Sequence, residues 1–590
     1  MRNLLLICFF LLAPLSASGT NATQQQAREL FDADWQWRLE RHSEFATSIG
    51  EHRFDATLTD TTLAASRADS AHQRQALDAA RLLPRADLDA AAQLSLDLFI
   101  HEKELDLRAA AFYPAMFQPI TAYHGLHITL PQLVAEMPFA TEADYRTYLA
   151  RLNALPQHVA GLIEQLREGV KTGWVAPRDA VAVLPARVRA LREGAISGPL
   201  GQPFRQIPAT IDRAVRDELA SAGPAMLRNR VMPALLQLED ELRSEYVPAA
   251  RSTIGAASLP GGADYYAMLV AANTGSSLTP ADIHALGKHE VARIRVAMDT
   301  AIARTGFTGS FTQFATFANS DKRLFYKTPE ALLERYRRIV ARANAGLPAL
   351  FLDPPAQELL VKPASGDALE ARGGAWYDAG DSSRPAAFVV NTTRLNTRPM
   401  WEMETLALHE ALPGHHLQVA RARSLSALPA FRRYGWNPAY GEGWALYAES
   451  LGSELGFYRD AFSSFGHLNA ELLRAARLVV DTGIHAFGWN RQQALDYLAA
   501  NTANALSDNE VEVDRYIAFP AQALGYSMGA IKIRALRQKA EITLGERFDI
   551  RQFHAALLDQ GPLPLVLLEQ QIDLWIAASG PVKAPPAPQG

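Results

Sequence analysis

Along most of this 590-residue chain, apolar positions return every three to four residues, the period of a helix buried on one side. Residues 142–170 show it most clearly, with Tyr145, Leu149, Leu152, Val159, Leu162, Ile163 and Leu166 on one stripe. Residues 279–302 and 328–347 each open with Thr followed by Pro, a pair that starts helices. Ala, Leu, Arg and Glu dominate, and all suit helices. Two stretches break the period. Residues 249–266 are small, Gly- and Pro-bearing, and read as the join between a helical lobe of residues 20–255 and a second of residues 256–578. Residues 353–399 form the other break. Within them Phe388, Val389 and Val390, between Pro385 and Asn391, make the best strand candidate. The pattern predicts a mainly α protein with a small β element.

The two chain ends fall outside this pattern. Arg2, an apolar run from Leu4 to Leu15, and then Ser16, Ala17, Ser18 and Gly19 read as a secretory signal peptide over residues 1–19. The run is short of the roughly 20 apolar residues that a membrane span needs. The single cysteine, Cys8, lies inside it and follows Ile7, whereas a lipid-attachment cysteine follows a small residue. The expected mature protein is therefore periplasmic or secreted, without disulfides and without a stable membrane anchor. Residues 579–590 read as a disordered tail. A net charge of −5 carries no nucleic-acid footprint.

Chemistry concentrates at "HEALPGHH", residues 409–416. Three His-Glu pairs occur in the chain: His101-Glu102, His289-Glu290 and His409-Glu410. Only the third is followed closely by further histidines, so the first two read as ordinary helix-surface pairs. Zinc-binding helices place two histidines four residues apart, on one face, with a glutamate beside the first. Here the fourth position is Pro413, whose ring would clash with the His409 carbonyl. Gly414 permits unusual backbone angles. A local break could swing His415 back beside His409, which makes the motif stretched and not destroyed. His416 is the competing ligand, seven residues from His409, on the same helical face but two turns away.

A third ligand is sought in residues 437–460. Glu442, between Gly441 and Gly443, is the candidate, and Glu449 lies two turns on among apolar residues, placed to hold a ligand histidine by its other nitrogen. Glu410 would be the general base. Tyr526 and His485 are candidates for stabilising an oxyanion, with Asp481 four residues before His485 to orient its ring. Asn391 ends the candidate strand, which could pair with an extended substrate. Arg515 is the candidate for a free substrate carboxylate.

The motifs "HEALPGHH", "GEGWALYAE", "RLVVDTGIHAFGW", "RYIAFPAQALGYSMGAIKIRALRQKAE" and "FHAALLDQGPLPLVLLE" together resemble the bacterial family known as domain of unknown function 885. The resemblance covers nearly the whole mature chain. It implies likeness to zinc metallopeptidases of the thimet-oligopeptidase and thermostable-carboxypeptidase type. That in turn implies a two-lobed helical fold around a deep central cleft, one Zn2+ per chain, and a glutamate on a later helix as third ligand. Gly before the second histidine matches Gly414-His415 and favours His415; the extra Leu-Pro departs from the pattern. The expectation is a zinc metallopeptidase acting on short peptides. Its rivals are a zinc hydrolase of a non-peptide amide and a non-catalytic periplasmic peptide-binding protein with a decayed zinc site. A cysteine or serine hydrolase is disfavoured, the former by the lack of a mature cysteine.

Overall fold

The computed structural model describes residues 16–112, 116–364, 373–381 and 383–580. Most of the signal call and of the tail call thus lie outside the described residues. The protein is mainly helical, with one small sheet. Helices begin where their capping chemistry is written. Thr141 caps Glu142–Thr172 in a reciprocal box with Asp144, and Gly173 ends that helix with φ 77°. Thr279 does the same with Asp282 ahead of Pro280–Arg304, and Thr328 caps Pro329–Gly346. The predicted stripe on Glu142–Thr172 is buried at Tyr145, Leu152, Val159, Leu162 and Leu166.

Two large apolar cores result, and the chain passes between them more than once. One gathers residues from 120–254, 291–318 and 465–523; the other gathers residues from 27–99, 332–458 and 533–576. The division expected at residues 255 and 256 therefore does not separate the cores. The segment there is packed tightly: a Cβ on Gly255 would lie 2.4 Å from the Ile484 carbonyl oxygen, and the Ala256 N–H donates to His485. Among the described residues, no helix is long and apolar enough to cross a membrane.

The sheet has three strands, β1 (Leu359–Pro363), β2 (Ala375–Asp378) and β3 (Ala386–Val390), in the order β1-β3-β2. Strand β3, the one legible in the sequence, is central and fully buried, parallel to β1 and antiparallel to β2. A continuous apolar run is what a strand buried on both faces requires. Both its edges are taken, so it has none left for a substrate; β1 and β2 keep the outer edges, and residues of β2 line the main cavity.

Two helices cross at the centre of the second core. Asn437 caps Pro438–Ser450, and Gly525–Leu544 lies across it with Gly443 against Gly529. A Cβ on Gly529 would fall 1.8 Å from the Ala439 carbonyl oxygen and 2.7 Å from the Gly443 Cα. Gly529→Ala should therefore force the helices apart and cost about 1–3 kcal/mol of stability, as for other overpacked sites. Denaturant unfolding monitored by circular dichroism checks this.

Candidate metal centre

The helix Met403–Glu410 stops after Glu410, and a new helix runs from His415 to Ser424. Between them Ala411 has ψ −103° and Gly414 ψ −131°, so the helix is interrupted for four residues, with the His416 N–H donating across the break to the Ala411 carbonyl. A Cβ on Gly414 would sit 1.8 Å from the His409 carbonyl oxygen, which only glycine allows. The turn is pinned from outside by Trp444 Nε1, which donates to the Pro413 carbonyl at 2.9 Å.

This turn brings His415 to His409, with ring centroids 4.8 Å apart and planes at 86°. Glu442, from the helix Pro438–Ser450, reaches both: its Oε2 is 3.6 Å from His409 Nε2 and 3.4 Å from His415 Nε2. One donor atom from each of the three residues lies within 4.8 Å of the other two. These gaps are long for hydrogen bonds, and Glu442 Oε2 is buried with no hydrogen-bond partner. Behind the cluster, His409 Nδ1 donates to Glu449 Oε1 at 2.8 Å, and Glu449 is fully buried with Arg474 3.5 Å away. Burial opposes charge on His409, but Glu442, Glu449 and Glu410 outweigh it and raise its pKa to about 9. Burial likewise pushes the Glu442 carboxyl up, and the two imidazoles more than offset this, holding it well below the carboxylate range. Two imidazoles and a carboxylate, with an unpaired buried oxygen between them, are a donor set that fits a zinc ion.

The cluster lies on the wall of a cavity of about 670 Å³. Glu410 lines it too, and its Oε2 accepts from the Tyr377 backbone N–H at 3.0 Å, which ties the glutamate to the outer edge of β2. Tyr526 also lines the cavity, its ring nearly parallel to His409 at 6.3 Å. Its hydroxyl accepts from Arg515 Nη2 at 3.0 Å, and the Arg477 guanidinium lies 4.3 Å from its ring centroid. Arg515 is further engaged by Gln522 at 2.7 Å and Glu512 at 3.7 Å. Glu512, despite burial that pushes it up, is lowered to about 2 by Arg477, Arg515 and the Tyr516 hydroxyl.

Other residues singled out in the sequence lie elsewhere. His416 turns away: Nε2 donates to the Gln357 carbonyl at 3.1 Å and Nδ1 faces the Tyr377 hydroxyl at 3.3 Å. His485 is fully buried, with Nδ1 accepting from Ala256 N–H and Nε2 donating to the Tyr516 carbonyl. Burial lowers its pKa to about 3, so it is a neutral core histidine that joins three segments and does not reach the cavity. Asp481 does not orient it; both Asp481 oxygens accept from Ala521 N–H, and Oδ1 also accepts from the Tyr266 hydroxyl. Asn391 is fully buried in the turn after β3, where Oδ1 accepts from Thr393. The spacing that suggested these pairs is common to buried helices, and nothing in it separates a core role from a site role.

Three features of the site carried no local signal in the sequence. Tyr377 and the β2 edge were hidden in a short aromatic pair, Trp376-Tyr377. Glu512 and Arg477 meet only through tertiary packing. Trp436, beside His415 with ring centroids 5.9 Å apart, also lines a second cavity of about 810 Å³. The glutamate of the first His-Glu pair lines that cavity: the Glu102 side chain has no hydrogen bond or ion pair among the described residues, and burial raises its pKa to about 7. It is not an ordinary surface pair. His289, by contrast, is exposed and beside Glu290.

The sequence profile of the family described as "Bacterial protein of unknown function (DUF885)" matches residues 44–572. A solved structure from Colwellia psychrerythraea, provisionally described as a lipoprotein, is similar at a TM-score of 0.87 and 27% identity, over 94% of this chain and 99% of that one. Another, from Shewanella oneidensis and provisionally described as a lipoprotein of unknown function, has a TM-score of 0.69 at 16% identity, over 95% of this chain and 99% of that one. The second likeness concerns the fold alone. No curated protein matches the sequence.

The buried carboxyl of Asp481 makes the stability pH-dependent. Burial raises its pKa to about 7 from 3.8, so the folded protein holds this proton where the unfolded chain releases it. Its contribution is complete below about pH 4 and is lost as the pH rises to about 7. Urea unfolding at a series of pH values should show a fall across this window that is smaller in Asp481→Asn than in the parent.

Proposed function

The chain belongs to the DUF885 family, and from that premise we propose that it is a secreted or periplasmic zinc-dependent metallopeptidase of short peptides. The observation that carries the reading is the His409–His415–Glu442 cluster with Glu410 beside it on one cavity wall. His409, His415 and Glu442 would hold the ion, and Glu449 would fix the His409 ring through Nδ1. A zinc ion there supplies a Lewis acid that polarises a carbonyl and acidifies water.

The remaining work falls to the chain. Glu410 takes the proton from the attacking water and passes it to the leaving amine. Its second oxygen is held by Tyr377 N–H, which limits its rotation without removing its basic oxygen. The Tyr526 hydroxyl, already accepting from Arg515, keeps its own proton free to donate to the developing oxyanion. Strand β2 offers the part of its outer edge that Glu410 does not take to an extended substrate backbone, the role first expected of β3. Secretion fits the leader sequence and the description of the Colwellia psychrerythraea structure as a lipoprotein.

Two variants test the assignment. Glu410→Gln should keep its metal and lose at least about a hundredfold in peptide turnover. Unchanged turnover would remove Glu410 from the reaction. In zinc titrations with a chelator competitor, His415→Ala should lose tight binding while His416→Ala keeps it; the reverse would exchange the two histidines.

A further inference from the structure

A small pocket of about 160 Å³ opens beside the main cavity, and Gly373, Val511 and Glu512 line both. Arg398 and Arg474 are part of its wall. Arg398 is only 7% exposed, yet its Nε and Nη2 have no hydrogen-bond partner among the described residues. Its other nitrogen, Nη1, donates to the Thr397 carbonyl and hydroxyl and lies 3.8 Å from Asp508. Arg474 Nε is unpaired as well. Glu402, on the same wall, makes no side-chain hydrogen bond or ion pair among the described residues, and burial raises its pKa to about 8, so at neutral pH it adds a proton donor and no negative charge. The unpaired edges of buried guanidiniums are costly to leave unsatisfied. The planar edge from Nε to Nη2 matches a carboxylate, which accepts two parallel hydrogen bonds.

We propose that this side pocket is a substrate-recognition site for a carboxylate, with Arg398 as its principal partner. The inference rests on the peptidase reading for its role in catalysis, but the pocket's chemistry stands without it. Arg515, the arginine the sequence suggested for this task, is occupied by Tyr526, Gln522 and Glu512. The carboxylate could be an acidic side chain or a free peptide C-terminus, and both present the same two oxygens. At about 160 Å³ the pocket is close to the size of a cavity that holds benzene, enough for a carboxyethyl group and too small for a longer chain.

Three probes separate the two sources on the full-length protein as purified. N-acetylglutamic acid α-amide carries only the side-chain carboxylate, N-acetylglutamine only the terminal one, and N-acetylglutamine amide neither. Calorimetric titration should show one of the two acids binding at least about tenfold tighter than the neutral diamide. Arg398→Gln should abolish that preference. Arg398→Lys should keep little of it, because a point charge cannot reproduce the fork. Asp508→Asn removes the competing negative charge near Nη1 and should tighten binding, an outcome that a misfolded variant would not give. Equal binding of all three probes, or a preference that survives Arg398→Gln, or one that vanishes in Arg433→Gln, which removes an arginine lining the main cavity and not this pocket, would overturn the proposal. Arg398-dependent binding without any peptide hydrolysis would sink the peptidase reading and leave the pocket standing. Hydrolysis of peptides with equal kcat/KM for Glu and Gln at every position, and for acid and amide termini, would do the opposite.

Discussion

The site depends on the break in the helix between His409 and His415. A regular helix would carry residues six apart to different faces, with no possibility of sharing an ion. Pro413 forbids that regular path, and Gly414 accepts the contact with the His409 carbonyl that any side chain would block. The break is not free-standing. Trp444, two positions after Glu442, holds the Pro413 carbonyl, so one helix supplies both the pin for the turn and the third member of the cluster. That helix is itself held against Gly525–Leu544 by the contact of Gly443 with Gly529. Tyr526, from the first turn of the crossing helix, reaches the cavity as a result. Geometry at the cluster is thus set by backbone contacts several residues away from any reacting atom.

The electrostatics are organised in the same way. A buried charge must have a partner, and here each partner has one of its own. His409 faces Glu449, which faces Arg474; Tyr526 is touched by Arg515 and Arg477, which both engage Glu512. These chains of paired charges restrict the ring of His409 and the hydroxyl of Tyr526 to one orientation each. Among the described residues several buried polar atoms are left without a partner, Glu442 Oε2 and the outer edge of Arg398 among them. These two lie on cavity walls, which is where an ion or a substrate would arrive.

Much of this was readable from the sequence because it is local. Helix starts follow from Thr, Asp and Pro at adjacent positions, and a carboxylate on an apolar helix face was enough to expect that Glu449 holds a ligand histidine, though which one is a tertiary fact. The stretched motif was legible because Pro and Gly have few permitted roles. What could not be read was tertiary. Asp481 and His485 have the spacing of an interacting pair, yet packing assigns each a different partner. Strand β3 is the most strand-like stretch because it is central, and for the same reason it cannot meet a substrate; β2, shorter and half-buried, keeps an outer edge at the main cavity. The segment expected to divide the chain is instead wedged against the helix that ends at His485.

The central claim is that the stretched motif holds a metal ion. The most direct test is elemental analysis of the mature protein, purified without chelator or metal-affinity resin and followed by a zinc titration. The account predicts about one zinc per chain, present on purification or taken up stoichiometrically on addition. A protein that carries no metal and takes up none at its folded, native state would contradict it, and the cluster of His409, His415 and Glu442 would then be a buried charge network with some other purpose.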